Sequence, residues 1–190
     1  MKTTLLSLLS GAVLLAPAAQ AQDSPSAEHE LAQQLGTERL PISLAGSAAE
    51  LNETTLTQTG SHNSALVRQL RAGEAPLGNL VYMVQAGTGN SANLGQTGAG
   101  NRTVVEQFGN GNQVESDING LNTESRIRQS GTANRVDQEL NVDNRRYLVE
   151  QNGRNNELVQ REQGATTPGY EVHMRGTGIR IVIEQGRVLP

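Results

Sequence analysis

The sequence predicts an all-β chain folded as a β-solenoid of about six stacked strand-arc-strand rungs, with parallel, in-register, amyloid-like ladders. Three observations lead there: a motif that recurs in one phase every 11 residues, a period of two ahead of each copy, and a composition unsuited to a conventional core.

From Gln85 onward the phase runs Gln85, Gln96, Gln107, Ile118, Gln129, Leu140, Gln151. Two residues after each stand Gly87, Gly98, Gly109, Gly120, Gly131, Val142 and Gly153, and five after each stand Asn90, Asn101, Asn112, Thr123, Asn134, Arg145 and Asn156. The motif is QxGxxN. An earlier copy holds Gln58, Gly60, Asn63 and Gln69, set off by about five extra residues around Gly73 to Gly78. A late copy runs Met174, Gly176, Ile179, Gln185. Gln58, Gln85, Gln107, Gln129 and Gln151 all keep Gln, whereas the intervening Gln69, Gln96, Ile118, Leu140, Glu162 and Gln185 do not, so the unit is two arms of 11 residues. A disordered Gln/Asn-rich tract would hold no fixed phase.

Within each arm the positions four and two before the Gln, and the Gln itself, fall on one face of a strand. They read Val81, Met83, Gln85; Thr103, Val105, Gln107; Ser125, Ile127, Gln129; and Tyr147, Val149, Gln151. The residues between include Arg102, Glu106, Arg126, Arg128, Arg146 and Glu150, which belong in water. This periodicity predicts strands, not helices. GxxN between arms supplies a tight arc, with Gly accepting positive φ and Asn expected to tolerate it.

Composition fits stacking. The 190 residues include one Phe, three Tyr, no Trp and no Cys, against 21 Gly, 16 Asn and 16 Gln, and the mean hydropathy is -0.46. A lone inward Gln is a costly buried polar group. Stacked on identical residues, its N–H donates to one neighbour while its carbonyl accepts from the other. The expected amide ladder is Gln58, Gln69, Gln85, Gln96, Gln107, Gln129, Gln151 and Gln185; the arcs are Gly60/Asn63, Gly87/Asn90, Gly98/Asn101, Gly109/Asn112, Gly131/Asn134 and Gly153/Asn156.

Residues 1–21 carry Lys2, an apolar stretch to Leu15 and Ala19-Gln20-Ala21, the pattern of a signal peptide; the stretch is too short for a membrane span. Residues 22–53 hold six acidic side chains (Asp23, Glu28, Glu30, Glu38, Glu50, Glu53) against Arg39 and no repeat, which predicts a flexible acidic segment. The repeat domain is 54–190.

The formal charge of -4 offers no basic nucleic-acid face. His29, His62 and His173 lack metal-ligand spacing, and no nucleophile with a base is evident, so neither cofactor nor catalysis is expected. A Ca²⁺-binding β-roll would need an Asp in each nonapeptide arc, whereas this period is 11 with Asn or Thr.

The phased copies resemble the curlin repeat family, whose unit places two Gln 11 apart around a Gly and an Asn, as Gln58, Gly60, Asn63, Gln69 and Gln85, Gly87, Asn90, Gln96 do here. The likeness covers about 54 to 185. It implies a subunit of curli, a functional amyloid of bacterial surfaces, exported through a dedicated outer-membrane pore with accessory factors and supporting adhesion and biofilm. Its partners would be itself or the other curlin subunit. The family has a major fibre subunit and a minor, nucleating one. The departures at Met174 and Ile179, the worn positions Ile118, Leu140 and Glu162, and the apolar final strand with Ile179, Ile181 and Ile183 resemble the minor subunit, that strand being the expected templating edge. The major subunit is the alternative; a non-amyloid secreted β-solenoid adhesin is the alternative of another class.

Overall fold

The computed structural model describes residues 51–72, 77–164 and 168–186. They form twelve strands: β1 (Glu53–Ser61), β2 (Ser64–Arg71), β3 (Leu80–Thr88), β4 (Ser91–Ala99), β5 (Arg102–Asn110), β6 (Gln113–Leu121), β7 (Glu124–Thr132), β8 (Arg135–Asn141), β9 (Arg146–Arg154), β10 (Glu157–Gln163), β11 (Glu171–Thr177) and β12 (Arg180–Gly186). The first strand begins at Glu53, one residue before the expected domain boundary. The signal-peptide reading of 1–21 and nearly all of the acidic 22–53 segment lie outside the described residues.

Odd strands make one six-stranded sheet in the order β1-β3-β5-β7-β9-β11, and even strands make a second, β2-β4-β6-β8-β10-β12. Every pairing is parallel. Each consecutive odd-even pair is one rung, and six rungs stack into a β-solenoid of about five turns. The register is that of the motif. Gln58, Gln85, Gln107, Gln129, Gln151 and Met174 stand in one column of the odd sheet. Gln69, Gln96, Ile118, Leu140, Glu162 and Gln185 stand in the matching column of the even sheet. The step between Gln58 and Gln85 is 27 residues and that between Gln151 and Met174 is 23, against 22 elsewhere in the odd column, so the extra residues sit in connections and leave the ladders aligned.

The inward phase buries as the period of two requires. Val81, Met83, Val105, Ile127 and Val149 from the odd strands meet Ala92, Leu94, Val114, Val136 and Leu158 from the even strands in one continuous core. One departure was not anticipated: on the outward phase of β3 and β5, Val84, Ala86 and Phe108 are also buried and form a separate cluster with Tyr82 against it.

In-register stacking would set like charges face to face, which destabilises a sheet. Two outward rows of the odd sheet avoid this by alternating sign. Glu106, Arg128, Glu150 and His173 follow one another up one row, and Arg102, Glu124 and Arg146 up another. Arg146 Nε lies 3.0 Å from Glu124, and His173 Nδ1 lies 2.9 Å from Glu150. In the even sheet, by contrast, Glu115 stands opposite Asp137 and Asp117 opposite Glu139, with Arg135 and Arg161 reaching Glu115, Asp137 and Glu139 at 3.7–3.9 Å. Partial burial raises the Glu106 carboxyl, with Arg128 and Arg126 opposing.

Candidate assembly site

The odd sheet carries an unbroken amide ladder with a single sense. Gln58 Nε2 donates to Gln85 Oε1 (2.6 Å), Gln85 to Gln107 (2.7 Å), Gln107 to Gln129 (2.9 Å) and Gln129 to Gln151 (2.8 Å). The other N–H of each internal amide crosses the core to a main-chain carbonyl in or next to the even strands: Ser64 for Gln85, Ser91 for Gln107, Gln113 for Gln129 and Arg135 for Gln151, at 2.9–3.0 Å. Each internal amide is thus satisfied on all sides, and a set of groups that would be costly to bury singly becomes self-consistent when stacked. The run stops at the last rung, where Gln151 Nε2 points at the Met174 thioether 3.4 Å away.

In the even sheet the motif ladder is short. Gln69 donates to Gln96 (2.8 Å), and Gln96 Nε2 turns across to Thr103 Oγ1 (2.8 Å). Ile118 and Leu140 then replace the amides and pack with Val142 and Tyr147. Polar stacking resumes one inward position earlier, at residues the motif does not mark. Ser116 Oγ and Ser125 Oγ both donate to Gln138 Oε1, Gln138 donates to Gln160 Oε1 (2.9 Å), and Gln160 donates to Glu162 Oε1 (3.1 Å). Tyr147 donates to Glu162 Oε2 at 2.6 Å, and the Tyr147 and Tyr170 rings meet edge to face at 5.4 Å. Burial, reinforced by the Glu162 carboxylate, raises both phenols well above their ordinary value. A signal for this shift was present: Gln138 and Gln160 stand two residues before Leu140 and Glu162, so they keep the inward phase while moving off the 11-residue frame.

The arcs correct one expectation. The motif asparagines Asn63, Asn90, Asn101, Asn112, Asn134 and Asn156 do not supply positive φ. The residue before each does, as His62, Gly89, Gly100, Gly111, Ala133 and Asn155, together with the motif glycines. The asparagines form a second ladder instead. Asn112 Nδ2 donates to Phe108 O and to Gly131 O of the next rung, both at 3.1 Å, while its Oδ1 accepts the Asn134 N–H at 3.2 Å. Asn63, Asn90, Asn134 and Asn156 repeat the contact to the next glycine at 2.8–3.0 Å; Asn101 reaches Gly120 O at 2.7 Å. In the column of Asn101, Thr123 takes over, its Oγ1 donating to Val142 O at 2.7 Å. Gly60, Gly87, Gly98, Gly109, Gly131 and Gly153 all have φ between 101° and 133°. A Cβ at Gly109 would overlap the Gly131 carbonyl oxygen, and the same clash repeats along the column.

The two ends of the stack differ. On β1 every residue is exposed, including the inward-phase Leu56 at 44%. On β11 Val172, in the column of Leu56, is 7% exposed and Met174, in the column of Gln58, 1%. Ile181 and Ile183 of β12, with Ile179 just before it, are half-buried against the core, and Gln185 stands beside Glu162. Among the described residues no helix is long and apolar enough to cross a membrane. No protein-family model, curated protein or solved structure matches the chain.

Proposed function

We propose that the chain is a structural subunit of an extracellular curli-type functional amyloid and acts as the surface-associated nucleator of its fibre, in the service of adhesion and biofilm. The observation that carries this reading is the one-way amide ladder through Gln58, Gln85, Gln107, Gln129 and Gln151 inside two parallel in-register sheets. A solenoid of this kind ends in unpaired strand edges, and a further in-register rung extends hydrogen bonds already running through the molecule. Nucleation rather than bulk fibre formation is supported by the interruptions. The even-sheet ladder gives way to Ile118 and Leu140, and the last rung has a thioether where an amide would continue the odd ladder.

The test is seeding. Purified chain at substoichiometric ratio should shorten the lag of fibre formation by a second curlin with regular QxGxxN repeats. Dye-binding fibres of this chain alone, without seeding, would instead favour the major subunit; neither seeding nor dye binding would favour an adhesin.

A further inference from the structure

We infer that the β1/β2 end of the stack is the recruiting face, and that its occupant is a different β-solenoid chain whose last rung presents Gln and Asn in the two ladder columns. This inference deepens the nucleator reading and rests on it. The ladders have a sense. Each Gln donates toward the following rung, so the first rung keeps an open acceptor, and among the described residues no donor reaches Gln58 Oε1. In the asparagine ladder the side-chain amides also donate forward, to the next rung's glycine carbonyl, but the main-chain N–H groups donate backward. The main-chain N–H of Asn90, Asn112, Asn134 and Asn156 donates to Oδ1 of the preceding rung, so Asn63 N–H has no preceding rung to serve. An arriving rung at this end must therefore bring an amide N–H to Gln58 and an acceptor to Asn63. Leu56 adds exposed apolar surface on the same strand as Gln58.

The chain's own last rung cannot meet that demand. At the Gln column it has Met174, which donates nothing, and at the Asn column it has Ile179, which accepts nothing through its side chain. Head-to-tail stacking of two copies would bury Gln58 Oε1 and Asn63 N–H without partners, whereas a Gln- and Asn-terminated rung satisfies both. The mismatch at both columns makes the molecule a one-sided template: it starts a heterologous stack and does not continue itself. The templating face is then opposite to the Ile179–Ile183 strand that the sequence singles out.

The closing experiment makes a matched partner from the chain itself. The probe is the full chain carrying Met174→Gln and Ile179→Asn at its last rung and Gln58→Leu at its first, so that it can donate to the immobilised chain while its own self-stacking is weakened. Immobilised unmodified chain should capture this probe, and Gln58→Leu in the immobilised chain should weaken capture about tenfold, the effect of losing one hydrogen bond in a closed site. Leu56→Glu should weaken it independently. Equal capture by the unmodified and Gln58→Leu chains overturns the inference, as does capture of unmodified chain at the same level as the probe. Circular dichroism checks that each variant keeps its β-structure; should the triple substitution unfold the probe, a probe with Met174→Gln and Gln58→Leu alone is used with the same expectations. Seeding of a regular curlin separates the two levels. Seeding unaffected by Gln58→Leu refutes the choice of end and leaves the nucleator reading standing, whereas no seeding by the unmodified chain refutes that reading.

Discussion

Removing one internal ladder amide tests whether the Gln residues act as a connected set. In Gln129→Ala, the Gln107 amide loses one of its two acceptors, and Gln151 Oε1 loses the donor that reached it at 2.8 Å. Two buried polar groups left unpaired, at about 1–3 kcal/mol each, amount to about 2–6 kcal/mol. That is a large share of the ~5–15 kcal/mol that stabilises an ordinary domain. Gln107→Ala strands Gln85 Nε2 and Gln129 Oε1 by the same logic. The double variant removes both members of the shared bond, so it strands only Gln85 Nε2 and Gln151 Oε1, the same number as either single change. Its cost should therefore fall well short of the sum, with a coupling of at least ~1 kcal/mol. Outward Arg126→Ala should stay within ~0.5 kcal/mol. Denaturant unfolding of unassembled chain, followed by circular dichroism, measures all four. Strict additivity of the two Gln changes, or a Gln129→Ala cost no larger than that of Arg126→Ala, would refute the ladder as the source of stability.

Three further outcomes are expected. Gly109→Ala should abolish the folded stack because its Cβ overlaps the next rung's backbone, while Gly111→Ala, with open space around it and φ of 63°, should cost only about 1–2 kcal/mol; Ala133 already occupies the equivalent place at φ 54°. Proteolysis rates of the two variants distinguish them. Asn112→Asp should destabilise more than Asn112→Thr, since a carboxylate cannot donate to Gly131 O, whereas the Thr123 hydroxyl already performs that donation in the neighbouring column; thermal melts rank the two. His173 should titrate above its ordinary 6.5 because it is held by Glu150 and Glu171. A raised folded value means that the stabilisation is fully present below the unfolded pKa and is lost as pH rises through the folded one. An NMR titration in which Glu150→Gln fails to lower the His173 midpoint would contradict this.

The fold class was legible because a solenoid is a one-dimensional problem. Once a 22-residue unit repeats in register, the columns, the inward face and the place of each insertion follow from counting, and Gln58 to Gln151 fell where the period put them. What counting cannot supply is direction. The sense of the Gln donors and the resulting open acceptor at Gln58 depend on how each amide is turned, and that is chosen by main-chain carbonyls in the facing sheet, such as Ser91 for Gln107 and Gln113 for Gln129. The polar run that moves to Gln138, Gln160 and Glu162 belongs to the same class. There Ile118, Leu140 and Tyr147 fill the motif column, and the amides take the next inward place, where Ser116 and Ser125 can reach them. Local chemistry alone allows the motif asparagine a positive-φ place in a tight arc. Only neighbouring rungs, 22 residues away in the chain and adjacent in space, supply the Asn90 oxygen and the Gly131 carbonyl that make Asn112 a ladder residue instead.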